Sequence, residues 1–310
     1  MKVCFIGVGS IAKRHIENLQ DIASERDINL QIDAVRRNTA EKMPKIDFVY
    51  GSVNELSNDY DAIFITNPTE FHVETLVETR GKSKNFFIEK PLISAKKIST
   101  VSEFKEDKDS LYYVACPLRY TNVIQYMKNF VEKHQIIGAR CISSSYLPEW
   151  RQGIDYRDTY SAHKDLGGGV SVDLIHEWDY LKYLFGEPQD VIYRSGKKSN
   201  LEMDCEDTAL YIAEYEDKFV ELHLDYFGRK TIREVMLFTP DDTVLGDLVN
   251  SKVSFMKSGE VVNFGEQRND YQKRELLHFM EAMANRKSDN SIEEAYRTIL
   301  LTQGKLEERT

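Results

Sequence analysis

The chain has 310 residues, a length that suits two domains of roughly 100–200 residues each. Hydrophobic residues make up 41% and aromatics 11%, with only 7 prolines, which excludes a disordered or collagen-like polymer. The formal charge of −10, from 51 acidic against 41 basic residues with no long basic block, argues against nucleic acid or an anionic membrane as the main partner.

Cys4, Cys116, Cys141 and Cys205 are scattered with no CxxC pair, which suits a reducing cytosol and offers neither a zinc site nor a disulfide framework. The apolar run in "MKVCFIGVGS" is much shorter than a signal-peptide core. No other stretch approaches the ~20 apolar residues of a membrane span. A cytoplasmic protein with no metal site is expected.

Taken in order, "KVCFI" (2–6) reads as a strand, Gly7 to Ala12 as a glycine turn, and "IAKRHIENLQDIA" as an amphipathic helix with Ile11, Ile16, Leu19 and Ile22 on its apolar side. Apolar runs recur at 30–35, 62–66, 86–88 and 111–116 with helical stretches between, the pattern of a parallel sheet covered on both faces. After about residue 118 the pattern changes. A helical "NVIQYMKNFVEKH" precedes a strand-like "ARCISSSYL", a glycine cluster at 167–169 and a helix from about 171 to 185. From 190 to 263 the runs alternate between turns, as in a mostly antiparallel sheet with one covered face. Two helices close the chain.

Gly7-x-Gly9-x-x-Ala12 is a dinucleotide fingerprint in its proper context, behind a strand and opening a helix. Gly9 lets the backbone approach a pyrophosphate at the positive end of the helix, with Ser10 and Ile11 in its first turn. The ribose acceptor belongs at the end of the second strand, "IDAVRRN". Asp33 lies inside that strand, and Arg36 and Arg37 leave it, so a 2′-phosphate is better matched than a free diol. NADP is favoured slightly over NAD. After the strand at 62–66, Asn67, Pro68 and His72 lie at the sheet's carboxyl edge, where open α/β sheets bind ligands.

Glu89, Lys90 and Pro91 directly follow an apolar run, and an ammonium there is costly unless it is paired or used. The fingerprint, "NPTEFH", "EKP" and "GGGVSVDLIHEWDYLKYLFG" together resemble the Gfo/Idh/MocA oxidoreductase family, relatives of glucose-fructose oxidoreductase and inositol dehydrogenase. The resemblance implies that Lys90 projects toward the nicotinamide, that Glu89 joins the cofactor site, and that Pro91 is cis. An ammonium near a sugar hydroxyl can hydrogen-bond the oxygen that gains negative character as hydride leaves its carbon.

On the helix at 171–185, Leu174, Trp178, Leu181 and Phe185 form an apolar stripe, with Asp173, His176, Tyr180 and Tyr183 on another face. Asp173 and His176, one turn apart, are expected to interact, and His176 is the candidate general acid/base. Many relatives carry the aspartate four residues before the histidine rather than three, so Asp179 stays an alternative orienting group. The loop "YLPEWRQGIDYRDTYSAHKDLGGG" offers Trp150, Tyr156 and Tyr160 for sugar rings and Arg151 and Arg157 for anions or hydroxyls, and Arg119 is expected to face the cleft.

The expected fold class is α/β: an N-terminal Rossmann doubly wound parallel sheet over 1–118, and a C-terminal α+β domain over 119–310 on a mostly antiparallel open sheet. The expected function is NAD(P)-dependent hydride transfer at a secondary alcohol or ketone of a sugar, sugar acid or nucleotide sugar. A non-catalytic NAD(P)-binding sensor and a lyase or glycosidase using the nicotinamide transiently are the alternatives. A homodimer or homotetramer through the C-terminal sheet is expected.

Overall fold

The computed structural model describes residues 1–39, 43–94, 97–98, 101 and 104–306. The chain forms two compact units, one of residues 1–116 and 268–296, the other of 117–267 and 297–310. No helix among the described residues is long and apolar enough to cross a membrane.

In the first unit, β1 (Lys2–Ile6), β2 (Gln31–Val35), β3 (Phe48–Tyr50), β4 (Ala62–Ile65), β5 (Asn85–Ile88) and β6 (Leu111–Val114) form a parallel sheet of order β3-β2-β1-β4-β5-β6. The unbroken apolar runs of β1, β4 and β5 follow from burial on both faces. The order reverses between β1 and β4, and a ligand of such a sheet binds beyond the carboxyl ends at that switch. There Thr66 Oγ1 donates to Gly7 O at 2.6 Å and joins the two strand ends.

One layer of this core is aromatic: Phe5 stacks on Phe64 at 4.6 Å and Phe64 on Phe87 at 5.1 Å. Phe279, from the helix Arg268–Asn285, sets its edge against Phe64 and Phe87. Glu275 of the same helix accepts the Cys116 N–H at 2.5 Å. Residues 268–296, placed by the sequence pattern in the second domain, therefore belong to the first unit. The stripe Leu276, Phe279 and Ala282 needs an apolar sheet face to cover.

In the second unit, β7 (Gly138–Tyr146), β8 (Asp190–Gly196), β9 (Thr208–Glu214), β10 (Phe219–Asp225), β11 (Phe227–Phe238), β12 (Thr243–Asp247), β13 (Lys252–Phe255) and β14 (Val261–Asn263) form a sheet of order β14-β13-β12-β11-β7-β10-β9-β8. Only β7 and β10 pair in parallel. Alternation sorts β9: Ala209, Tyr211 and Ala213 are buried, whereas Leu210 and Ile212 are 46% and 44% exposed. The helices Asn122–Val131 and Ile175–Phe185 pack on each other. Trp178 meets Tyr211 edge-on at 5.1 Å, and the Tyr180 hydroxyl lies 2.8 Å from Cys141 Sγ. The other sheet face stays open, with a hollow lined by Ile142, Leu210, Ile212, Met236 and Leu245 among others.

Candidate active site

The turn after β1 is shaped for a dinucleotide. Gly7 has φ +88°, and a Cβ there would lie 2.8 Å from the Asn67 Cα, so only glycine fits beside the β4 end. Gly9 differs, because its backbone is extended and a Cβ would meet nothing within 4 Å. It caps the helix Ser10–Glu25 with no side-chain hydrogen bond and no acidic residue in the first turn, so the terminal N–H groups and the helix dipole present an uncapped anion site. Ser10 is exposed and Ile11 half-buried at this end. This donor set fits a pyrophosphate.

At the β2 end, Asp33 is fully buried and accepts from the Tyr60 hydroxyl at 2.6 Å and Gln31 Nε2 at 3.1 Å. That carboxylate serves the fold. Arg36 is half-buried and Arg37 exposed where the strand ends.

Lys90 is half-buried just beyond β5, and its bond to Pro91 is cis. Glu89 beside it accepts on Oε1 from His15 Nε2 at 2.6 Å and on Oε2 from the Lys90 N–H at 3.2 Å. Burial alone would raise the Glu89 carboxyl, yet the His15 hydrogen bond and the surrounding charges hold it below the ordinary glutamate value. His15 is 1% exposed, and its Nδ1 has no hydrogen-bond partner.

His72, expected at the cofactor, is 1% exposed, with Nε2 2.9 Å from the Asn67 carbonyl and Nδ1 3.2 Å from that of Leu92. Burial lowers its pKa, so it is a neutral tie between the β4 and β5 loops rather than a surface toward a nucleotide. Asn67 donates to Thr75 Oγ1 at 2.7 Å, and Pro68 is exposed.

In the second unit the expected continuous helix breaks at Leu174 (φ −97°, ψ 32°) into Val170–Asp173 and Ile175–Phe185. His176 is half-buried in the first turn of the longer piece. The break leaves Asp173 at the end of the shorter piece and His176 in the first turn of the longer one. Asp173 accepts from the Tyr160 hydroxyl at 2.6 Å and from the Tyr226 hydroxyl at 2.7 Å. Gly168 allows this closure: a Cβ there would lie 2.2 Å from the Tyr160 carbonyl oxygen.

Asp179, the alternative orienting group, receives Nε and an NH2 of Arg119 at 2.9 and 2.8 Å. Arg119 is 5% exposed, so the arginine expected to face substrate is a buried tie between the turn Pro117–Tyr120 and the helix. In the loop 147–166, Trp150 donates to Ser145 Oγ at 2.9 Å and meets Tyr226 edge-on at 5.2 Å. The Arg151 guanidinium lies over the Tyr160 ring at 5.4 Å. The Tyr156 hydroxyl accepts the Glu202 N–H at 2.8 Å. Arg157 is bound to both oxygens of Asp155 at 2.6–3.0 Å and reaches Glu202 at 3.3 Å. No cluster of three or more His, Cys, Asp or Glu side chains among the described residues could hold a metal ion.

Sequence reasoning passed over His15 and Tyr226. A histidine among Ala12, Ile16 and Leu19 on a core-facing stripe signals a buried partner. For Tyr226, a phenol at the end of a strand run, no local signal names its acceptor.

Known proteins agree with this construction. A model described as "Oxidoreductase family, NAD-binding Rossmann fold" matches residues 1–116, and "Oxidoreductase family, C-terminal alpha/beta domain" matches 151–234, together well over half of the chain. An uncharacterized oxidoreductase YrbE of Bacillus subtilis is 25% identical over 221 residues, 68% of this chain and 63% of that protein. A myo-inositol 2-dehydrogenase of Thermotoga maritima is 24% identical over 203 residues, 63% of this chain and 58% of that protein. The chain thus aligns with less than two thirds of the length of either relative. Among solved structures, a levoglucosan dehydrogenase in complex with NADH superposes with a TM-score of 0.84 at 16% identity, covering 98% of this chain and 95% of that one, a likeness of fold. The chain belongs to the Gfo/Idh/MocA oxidoreductase family, with its NAD-binding Rossmann fold and its C-terminal α/β domain.

Proposed function

We propose that the protein is an NAD(P)-dependent oxidoreductase that transfers hydride between the nicotinamide and a secondary alcohol or ketone of a sugar, sugar acid or nucleotide sugar. The observation that carries this reading is Lys90, held beyond β5 by a turn whose preceding carboxylate is fixed by a helix that opens at the dinucleotide fingerprint. Bound cofactor supplies the hydride acceptor or donor at C4, and the chain supplies position and field. Lys90 hydrogen-bonds the substrate oxygen and stabilises negative charge as it develops. His176 takes or returns the hydroxyl proton. Asp173 orients one of these groups and, through Tyr160 and Tyr226, also fixes the loop that carries Trp150 and Tyr160. Gly7, Gly9, Ser10 and Ile11 hold the pyrophosphate. The named activities of the inositol and levoglucosan relatives support a polyol or sugar substrate.

Asp33 is committed to Tyr60 and Gln31, so the ribose end falls to Arg36 and Arg37, which favours the 2′-phosphate of NADP. The open face with Ile192, Leu210 and Ile212 suits pairing with a second copy into a dimer or tetramer. Four buried free thiols suit a reducing cytoplasm. The test is a panel of polyols, sugars and sugar acids with NADP or NAD, following nicotinamide absorbance beside product analysis. Stoichiometric reduction of cofactor with ketone formation is expected. Product without net change in the cofactor would assign a lyase or glycosidase, and cofactor binding without turnover of any compound would assign a sensor.

A further inference from the structure

Three arginines were candidates to meet the substrate, and the structure separates them by their partners. Arg119 is paired with Asp179, and Arg157 with Asp155 and Glu202. Arg151 is paired with no carboxylate among the described residues. Its contact is the face of Tyr160. A guanidinium held over a ring face rather than by a carboxylate keeps its charge and its fork of N–H donors, which can grip a carboxylate or phosphate with two parallel hydrogen bonds.

That guanidinium is held by a closed circuit. Arg151 covers Tyr160, whose hydroxyl donates to Asp173 Oδ1. Tyr226 donates to Asp173 Oδ2, and Trp150 rests edge-on against Tyr226. Trp150 is the neighbour of Arg151 in the chain, so the ring of contacts returns to its start. Both carboxylate oxygens of Asp173 carry a phenolic donor, which disperses the one negative charge in the circuit. A fixed side chain with an unneutralised charge in a loop of aromatic residues is a selector, because little further ordering is needed when an anion arrives.

We propose that Arg151 selects the substrate by receiving an anionic substituent, a carboxylate or a phosphate ester, on the sugar whose hydroxyl is oxidised. This assignment rests on the hydride-transfer reading above. It excludes Arg157 from the same task, since two carboxylates already surround that guanidinium.

The experiment compares kcat/KM for glucose, glucuronate and glucose 6-phosphate in the full-length protein and in Arg151→Gln and Arg151→Lys. Wild type should favour one of the two anionic sugars over glucose by on the order of tenfold or more, and which one distinguishes carboxylate from phosphate. Arg151→Gln should lower that anionic-to-neutral ratio about tenfold, and Arg151→Lys, which keeps the charge but loses the fork, should retain part of it. An unchanged ratio in Arg151→Gln, or a wild type that prefers glucose, overturns the assignment. If none of the three is turned over, calorimetric titration of inorganic phosphate and of glucuronate into NADP-saturated protein decides. Binding lost in Arg151→Gln sustains the anion site while the hydride-transfer reading stands or falls separately, and equal or absent binding in both proteins overturns it.

Discussion

His15 and Glu89 lie 74 residues apart in the chain and 2.6 Å apart in space. The pair joins the helix that opens at the pyrophosphate turn to the strand end that carries Lys90, so the aim of the lysine depends on a histidine in the cofactor helix. Replacing His15 by Ala leaves a buried carboxylate short of its donor and should cost about 1.5–3 kcal/mol in urea unfolding at neutral pH. His15→Gln, which keeps an N–H, should recover much of that. The sign of the pH dependence follows from the lowered Glu89 pKa. Stability from its ionised form is present above the ordinary glutamate value and is lost as pH falls through the depressed folded value. The wild-type advantage over His15→Ala should therefore shrink in acid, and an advantage independent of pH would show that Glu89 is not the partner that matters.

The two fingerprint glycines should fail in different ways. Gly7→Ala puts a side chain at φ +88° against the backbone of Asn67 and should lower stability by about 1–3 kcal/mol. Gly9→Val, at an extended position facing open space, should leave the melting temperature within a few degrees, yet weaken dinucleotide binding in fluorescence titration by on the order of tenfold or more. Equal loss of stability in both would contradict the division between a packing glycine and a ligand-facing one.

Burial and the neighbouring Asp173 charge raise the Tyr226 phenol well above its usual 10.0, and those of Tyr160 and Tyr180 are also raised. Their protonated forms are favoured in the fold, so this stability is complete below the ordinary tyrosine value and is lost as pH rises through the folded values. Ultraviolet titration should show a subset of the 17 tyrosines ionising only on alkaline unfolding. Tyr226→Phe removes a donor from a buried carboxylate and should cost about 1.5–3 kcal/mol, while Tyr160→Phe should raise KM several-fold with a smaller change in kcat.

Cofactor choice rests on the strand end after Val35. Arg36→Asp should shift the ratio of NAD to NADP affinity toward NAD by about tenfold or more. Native preference for NAD, with NADP affinity unchanged by the substitution, would assign those arginines to solvent.

Much of this was legible in the sequence because it is written in local periods. Apolar runs, interrupted only by Asp33 in β2, gave the parallel strands β1, β2, β4, β5 and β6, and alternation gave β9 and β10. The short edge strand Phe48–Tyr50, exposed in part, lacks that signal. The break at Leu174 follows from no glycine or proline, so residues 171–185 read as one continuous helix. Nor could periodicity show that the helix Arg268–Asn285 returns to the first unit, since an apolar stripe names a need for cover and not the surface that provides it. Spacing marked Arg119 and Arg157 as cations; only the fold reveals the carboxylates that neutralise them.

The central claim is that hydride passes directly between the nicotinamide and a substrate carbon whose oxygen is held by Lys90 and protonated by His176. The most direct measurement uses cofactor deuterated at C4 to reduce the ketone, with mass spectrometry of the product from wild type, Lys90→Met and His176→Ala at saturating cofactor. Deuterium should appear on the alcohol carbon in wild type, with rates lower by about 10²–10⁴-fold in each variant while cofactor binding persists. Label that stays on the cofactor during turnover, or variants that keep the wild-type rate, would contradict it.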